Sequence, residues 1–162
     1  MMTGPVATAP GYRAAGAPKY ALIPVHGYDI AVATVARMLD DEGGTGTMAR
    51  TLHAGEPVPL GAQPVLVASS TVYGAVCVEH MLRAWHIGVP RPWLVLVADA
   101  PAPPAAPARY RLRALQSRLL GIARVPYLPV LRTVEGPEQA IRYQDVIRAA
   151  AKLRRQLQGS DQ

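Results

Sequence analysis

Three groups of side chains in this sequence have the types and spacing to do chemistry. The first is His26-Gly27-Tyr28-Asp29-Ile30, directly after an apolar run and directly before a helical pattern. A strand, a tight turn and a helix in that order is the setting of a phosphate-binding loop, because free backbone N–H groups and the helix N-terminus together attract an anion. The second group is Ser69, Ser70 and Thr71 with Asp99, at the ends of two further apolar runs. These would line a cleft, since ligands of an open parallel sheet lie beyond the carboxyl ends of its strands. The third is a cationic stripe of Arg148, Lys152 and Arg155 at i, i+4 and i+7, with Arg154 on its rim. Such a stripe suits DNA phosphates or an acidic protein surface, and an ordinary solvated helix face has the same pattern.

A loop that handles Mg-ATP needs several glycines, a lysine for the β- and γ-phosphates and a hydroxyl for the magnesium. This loop has Gly27 alone, and no lysine occurs between Lys19 and Lys152. Asp29 puts a carboxylate where the helix N-terminus would hold phosphate. Tyr28 fills the space a glycine would leave. Gly43-Gly-Thr-Gly-Thr47 follows a helix instead of a strand and reads as a connector. His26, His53, His80 and His86 are scattered, and His80 and His86 fall on opposite sides of one helix, which argues against a shared metal. Ser69 and Ser70 lack the glycine-flanked elbow of a hydrolase nucleophile. Cys77, the one cysteine, rules out an internal disulfide and a Cys-based zinc site and reads as a small core residue.

The elements that position these groups follow from hydrophobic patterning. Near-continuous apolar runs at 20–25, 64–68, 93–98 and 123–128 read as buried strands, and Pro126 puts the last at an edge or a strand end. Helical spacing predicts helices over 30–42, 72–87, 110–120 and 143–157, the last burying Tyr143, Val146, Ile147, Ala150, Leu153 and Leu157. Residues 43–63 are rich in glycine and proline and read as a long loop, and 100–108 as a stiff Ala/Pro linker. Strands alternating with helices predict an α/β three-layer sandwich with a mostly parallel sheet of four to five strands. Residues 1–18, almost without large apolar side chains, are expected to be a disordered arm, and 19–158 a single domain.

Composition narrows the class further. The 162 residues include no Phe and a single Cys, and no apolar run approaches the roughly 18 residues of a membrane span. No export signal is evident, so a cytoplasmic location is expected. The net charge of +6 is uneven: residues 1–105 carry six basic and seven acidic side chains, residues 106–162 eleven and four. The positive surface therefore belongs to the last third of the chain.

Over most of 19–157 the element order resembles the ParA/MinD-like group of P-loop NTPases, the deviant Walker A class of partition and cell-division positioning ATPases. The residues that carry the resemblance are Pro64-Val-Leu-Val-Ala-Ser-Ser70, Trp93-Leu-Val-Leu-Val-Ala-Asp99, Leu119-Leu-Gly-Ile-Ala-Arg-Val-Pro-Tyr-Leu-Pro129 and the closing basic helix. The chain is also similar to short actinobacterial relatives whose loop has decayed. The resemblance implies a P-loop NTPase-like sheet with the phosphate loop at His26 to Ile30 and a strand ending in a metal-binding acid before Pro64; no such strand is evident. The expectation is a pseudo-NTPase without catalysis or cofactor, a scaffold or adaptor for a protein partner in mobile-element or DNA-partition machinery. Two alternatives stand beside it. One is a divergent nucleotide-binding switch in which Arg37, or a basic residue from a dimer partner, replaces the lysine, and the other a non-specific DNA-binding accessory protein that uses the C-terminal basic helix.

Overall fold

The computed structural model describes residues 16–40 and 44–159; of the expected arm, 1–15 lie outside the described residues. Five strands, β1 (Tyr20–Pro24), β2 (Ala49–Thr51), β3 (Gln63–Ser69), β4 (Trp93–Val97) and β5 (Gly121–Val125), form one sheet. Its order is β2-β1-β3-β4-β5 and every pairing is parallel. That order is shared with flavodoxin-like doubly wound sheets, in which the crevice lies between β1 and β3.

Side chains alternate across the sheet with period two. Tyr20, Leu22, Val65, Val67, Trp93, Val95 and Val97 face one side. Helices α1 (Ile30–Leu39) and α5 (Gln144–Gln158) cover that side with Val32, Val35, Met38, Val146, Leu153 and Leu157. Leu66, Ala68, Leu94 and Leu96 face the other side and meet Ala75, Val78 and Leu82 of α2 (Val72–Arg83) and Ala108, Leu112 and Leu115 of α3 (Ala106–Leu115). A short α4 (Pro137–Ala140) precedes α5. The α/β three-layer architecture is therefore present, with a sheet that is wholly parallel.

Several boundaries differ from the sequence reading. Residues 43–63 contain β2, which pairs with β1 from Tyr20↔Ala49 to Leu22↔Thr51. Three residues, Ala-Arg-Thr, are too few for an apolar period, and the strand is placed by its lead-in. The buried Asp40 side chain accepts from the Gly46 N–H at 2.6 Å and the Met48 N–H at 3.0 Å, and the Tyr20 N–H then donates to the Met48 carbonyl. Helix α1 stops at Leu39, with residues 41–43 outside the described set. Helix α2 stops at Arg83, four residues before Ile87, which is 99% exposed. The stretch expected as linker already begins α3 at Ala106, because a proline is tolerated in a first turn whose N–H groups lack helical partners. Residues Gln116–Arg118 form a 3-10 turn. β5 runs from Gly121 to Val125 and ends before Pro126, so the proline marks a strand end. Tyr143 and Ile147 are exposed, not buried, and Cys77 is half-buried outside the core clusters.

At the outer side of β5, Gln156 of α5 places its amide against the strand. Its Oε1 accepts from the Arg124 N–H at 3.0 Å, and its Nε2 donates to the Arg124 carbonyl at 3.2 Å.

Candidate functional site at the strand ends

The β1–α1 connection is built for a turn. Gly27 has φ +114°, a left-handed conformation in which a side chain would be strained, although nothing lies within 4 Å of where a Cβ would be. Asp29 is extended and is the N-cap of α1, its Oδ1 accepting from the Val32 N–H at 2.9 Å. An amide that could meet a phosphate is thus taken by the chain's own carboxylate. Tyr28 is 67% exposed and stands clear of the core.

His26 bridges the crevice. Its Nε2 accepts from the Ser69 N–H at 2.9 Å, and the ring leans on Tyr73 with centroids 6.0 Å apart. At the end of β3 the hydroxyls have structural duties. Thr71 is the cap of α2, accepting from the Gly74 N–H at 2.9 Å, and Ser69 Oγ lies 2.9 Å from Thr71 Oγ1. Ser70 is buried and donates to Asp99 Oδ1 at 3.0 Å. The Nε2 lone pair that could serve as a base is already bonded, so neither serine has an activating imidazole.

Two cavities open around these residues. The smaller, about 240 Å³, lies at the ends of β1, β3, β4 and β5 and is lined by His26, Asp29, Ile30, Ser69, Asp99, Tyr127 and Arg132 over a floor of Val67, Val97 and Leu128. Gly27, Tyr28, Ser70 and Thr71, grouped with these in the sequence, do not line it. Arg132 was not singled out in the sequence; the 3-10 turn Pro129–Arg132 brings it to the cleft. The larger cavity, about 1280 Å³, lies on the α2 side beside β1. There the β2–β3 crossover, residues 52–62, carries no helix and packs Leu52, Val58 and Ala62 against Ala21 and Ile23. Ile23, Leu52, Val58, Met81, Trp85 and Val89 give the groove an apolar lining, and Trp85 is held by Nε1 donating to the Pro90 carbonyl at 3.1 Å.

The basic stripe on α5 is only partly free. Arg148 pairs with Asp145 at 2.9 Å, and Arg154 donates to the Met38 carbonyl at 2.8 Å, closing the C-terminal end of α1. Lys152 and Arg155 are exposed. Arg37 lies in the last turn of α1, pairing with Glu138 at 3.0 Å and donating to the Asp40 carbonyl at 2.8 Å. It is thus at the opposite end of α1 from Asp29. Among the described residues no cluster of three His, Cys, Asp or Glu could hold a metal ion, and no helix is long and apolar enough to cross a membrane.

Between α2 and α3, Glu79 receives Arg111 at 2.6 Å and Arg83 at 3.2 Å. The Arg111 hydrogen bond holds the Glu79 carboxyl below the usual glutamate range, against a smaller opposing effect of burial. A carboxylate of lowered pKa stabilises the fold above its ordinary range and loses that contribution as pH falls through the lowered value. Urea midpoints should therefore fall more steeply with acidification in the native chain than in Glu79→Gln; parallel slopes would refute the linkage. Comparison of the chain with protein-family models, curated proteins and solved structures finds no match.

Proposed function

We propose that this chain is a non-catalytic binding domain, a ParA/MinD-like pseudo-NTPase that serves as a scaffold or adaptor for a protein partner. The observation that carries the reading is the Asp29 cap. The carboxylate bonded to the Val32 N–H takes the place of an anionic ligand at α1, and with no lysine in the loop a triphosphate would meet that negative charge at the helix N-terminus itself. The resemblance in element order adds the NTPase-like ancestry.

The large groove supports the adaptor role. In a doubly wound sheet each crossover ordinarily lays a helix on the sheet, and here the β2–β3 crossover leaves that layer open beside β1. Its volume is roughly that of three helical turns, taking a cylinder about 10 Å across that rises about 1.5 Å per residue. An amphipathic helix of the partner, apolar face inward, is the occupant this space suits.

The test is thermal unfolding with and without Mg-ATP. A nucleotide held at 100 times its Kd adds about 2.7 kcal/mol, on the order of 5–10 °C for a domain of this size. The expected shift is below about 1 °C, with no phosphate release; a shift of several degrees that needs magnesium would overturn the reading.

A further inference from the structure

We propose that the strand-end cleft binds a small zwitterion, a molecule carrying an ammonium and a carboxylate on a short apolar body. This goes beyond the adaptor reading and does not depend on it.

Asp29 uses Oδ1 on the Val32 N–H, and Asp99 uses Oδ1 on the Ser70 hydroxyl, so each keeps Oδ2 without a partner among the described residues. The Arg132 side chain lines the same cleft and makes no hydrogen bond or ion pair among the described residues. All three side chains are exposed at the rim of the cleft, and neither carboxylate forms an ion pair with that guanidinium. The cleft is therefore lined by two carboxylates and a guanidinium that are not paired with one another. A simple anion would be attracted to Arg132 and repelled by Asp29 and Asp99, and a simple cation would meet the reverse. A ligand bearing both charges satisfies all three, its ammonium taking the free Oδ2 atoms and its carboxylate the planar fork of Arg132.

Size and lining limit the body between the charges. At roughly 30 Å³ per water, about 240 Å³ holds about eight waters, which corresponds to a ligand of on the order of eight to ten non-hydrogen atoms. Val67, Val97 and Leu128 make the floor apolar. A branched aliphatic amino acid has that size, that apolar body and both charges. The cleft also lies at the β1/β3 crevice, where doubly wound sheets place their ligands.

The experiment is a titration of the full ¹⁵N-labelled chain with leucine, isoleucine and valine, read on the amides of Ser69, Ser70, Asp99 and Leu131. In parallel, 4-methylpentanoate and 3-methylbutylamine each supply one charge on the same body. At least one of the three amino acids should give saturable shifts with Kd at or below about 1 mM. The single-charge compounds should bind roughly tenfold more weakly or worse, and Arg132→Gln and Asp99→Asn should each weaken the amino acid by a similar factor. Arg132 is exposed, and the amide introduced by Asp99→Asn keeps an acceptor oxygen for Ser70, so both variants should fold; unchanged amide spectra away from the cleft would show that they have. The proposal is overturned if none of the three amino acids saturates by about 10 mM. It also fails if a single-charge compound binds as tightly as its amino acid, or if affinity survives in folded Arg132→Gln.

Discussion

Replacing Gly74 by alanine is expected to destabilise the domain by about 1–3 kcal/mol, the range for overpacking a tightly packed site. Gly74 lies in the first turn of α2, so close to the end of β3 that a Cβ would be driven into the Ser69 carbonyl oxygen, with Ser69 Oγ and its carbonyl carbon also within 3.0–3.1 Å. The obstacle is backbone, and it is fixed from several directions. Ser69 pairs with Val97 in the sheet register, and its N–H is held by His26. Its hydroxyl is within reach of the Thr71 cap. Relief would have to come from lifting α2 off Leu66, Ala68 and Leu94, which spends apolar burial instead. Urea unfolding checks the size of the loss, and a change below about 0.5 kcal/mol would mean that the helix can shift freely. The same variant should move the His26 and Ser69 amide resonances, since the strain enters at the bond that spans the crevice.

A loss of comparable size is expected for Asp40→Ala, about 2–4 kcal/mol from two hydrogen bonds to a charged acceptor at about 1.5–3 kcal/mol each, less partial rehydration of the released groups. Asp40 is 3% exposed, and its carboxylate holds the Gly46 and Met48 N–H groups while its own carbonyl accepts from Arg37. Without it, both amides lose their partner and the segment entering β2 loses its anchor. Asp40→Asn keeps one acceptor oxygen and should cost about half as much. Hydrogen exchange distinguishes this local effect from a general one. The Leu52 N–H, donated to Leu22, and the Tyr20 N–H, donated to Met48, should exchange faster relative to β3 and β4 amides. Uniform acceleration across the sheet would contradict an anchoring role for Asp40.

The parts of the fold that could be read from sequence were those that announce themselves in side-chain chemistry. β3 and β4 are buried on both faces, so their runs of Val and Leu carry the signal, and β1 is nearly as clear. The Asp29 carboxylate at the start of α1 was readable from its place directly before a helical pattern, and the structure adds that it caps the helix. β2 was not readable, since its placement comes from the side chain of Asp40 nine residues upstream of its first residue and not from its own composition. The start of α3 was masked by Ala and Pro, residues that serve a linker and a first helical turn equally well. At the candidate site, Asp29, Ser69 and Asp99 were found as strand-end residues, while Arg132 was missed because a 3-10 turn has no period to betray which residue faces the cleft. Arg154, read as the rim of the basic stripe, is half-buried there. Sequence spacing places it on the rim of α5, and only tertiary packing sets the Met38 carbonyl beside it.

The Gln156 amide on Arg124 has a consequence for how this protein meets others of its kind. An open strand edge invites another strand, and a parallel sheet with two bare edges could in principle extend from molecule to molecule. Here one border is occupied by a side chain that mimics a peptide group, donor and acceptor together, and the opposite border is a strand of three residues. Both borders are thus blunted, one by a side-chain amide and the other by its short length. Association by strand addition is thereby discouraged on the β5 side, where an incoming strand would have to displace the Gln156 amide from Arg124.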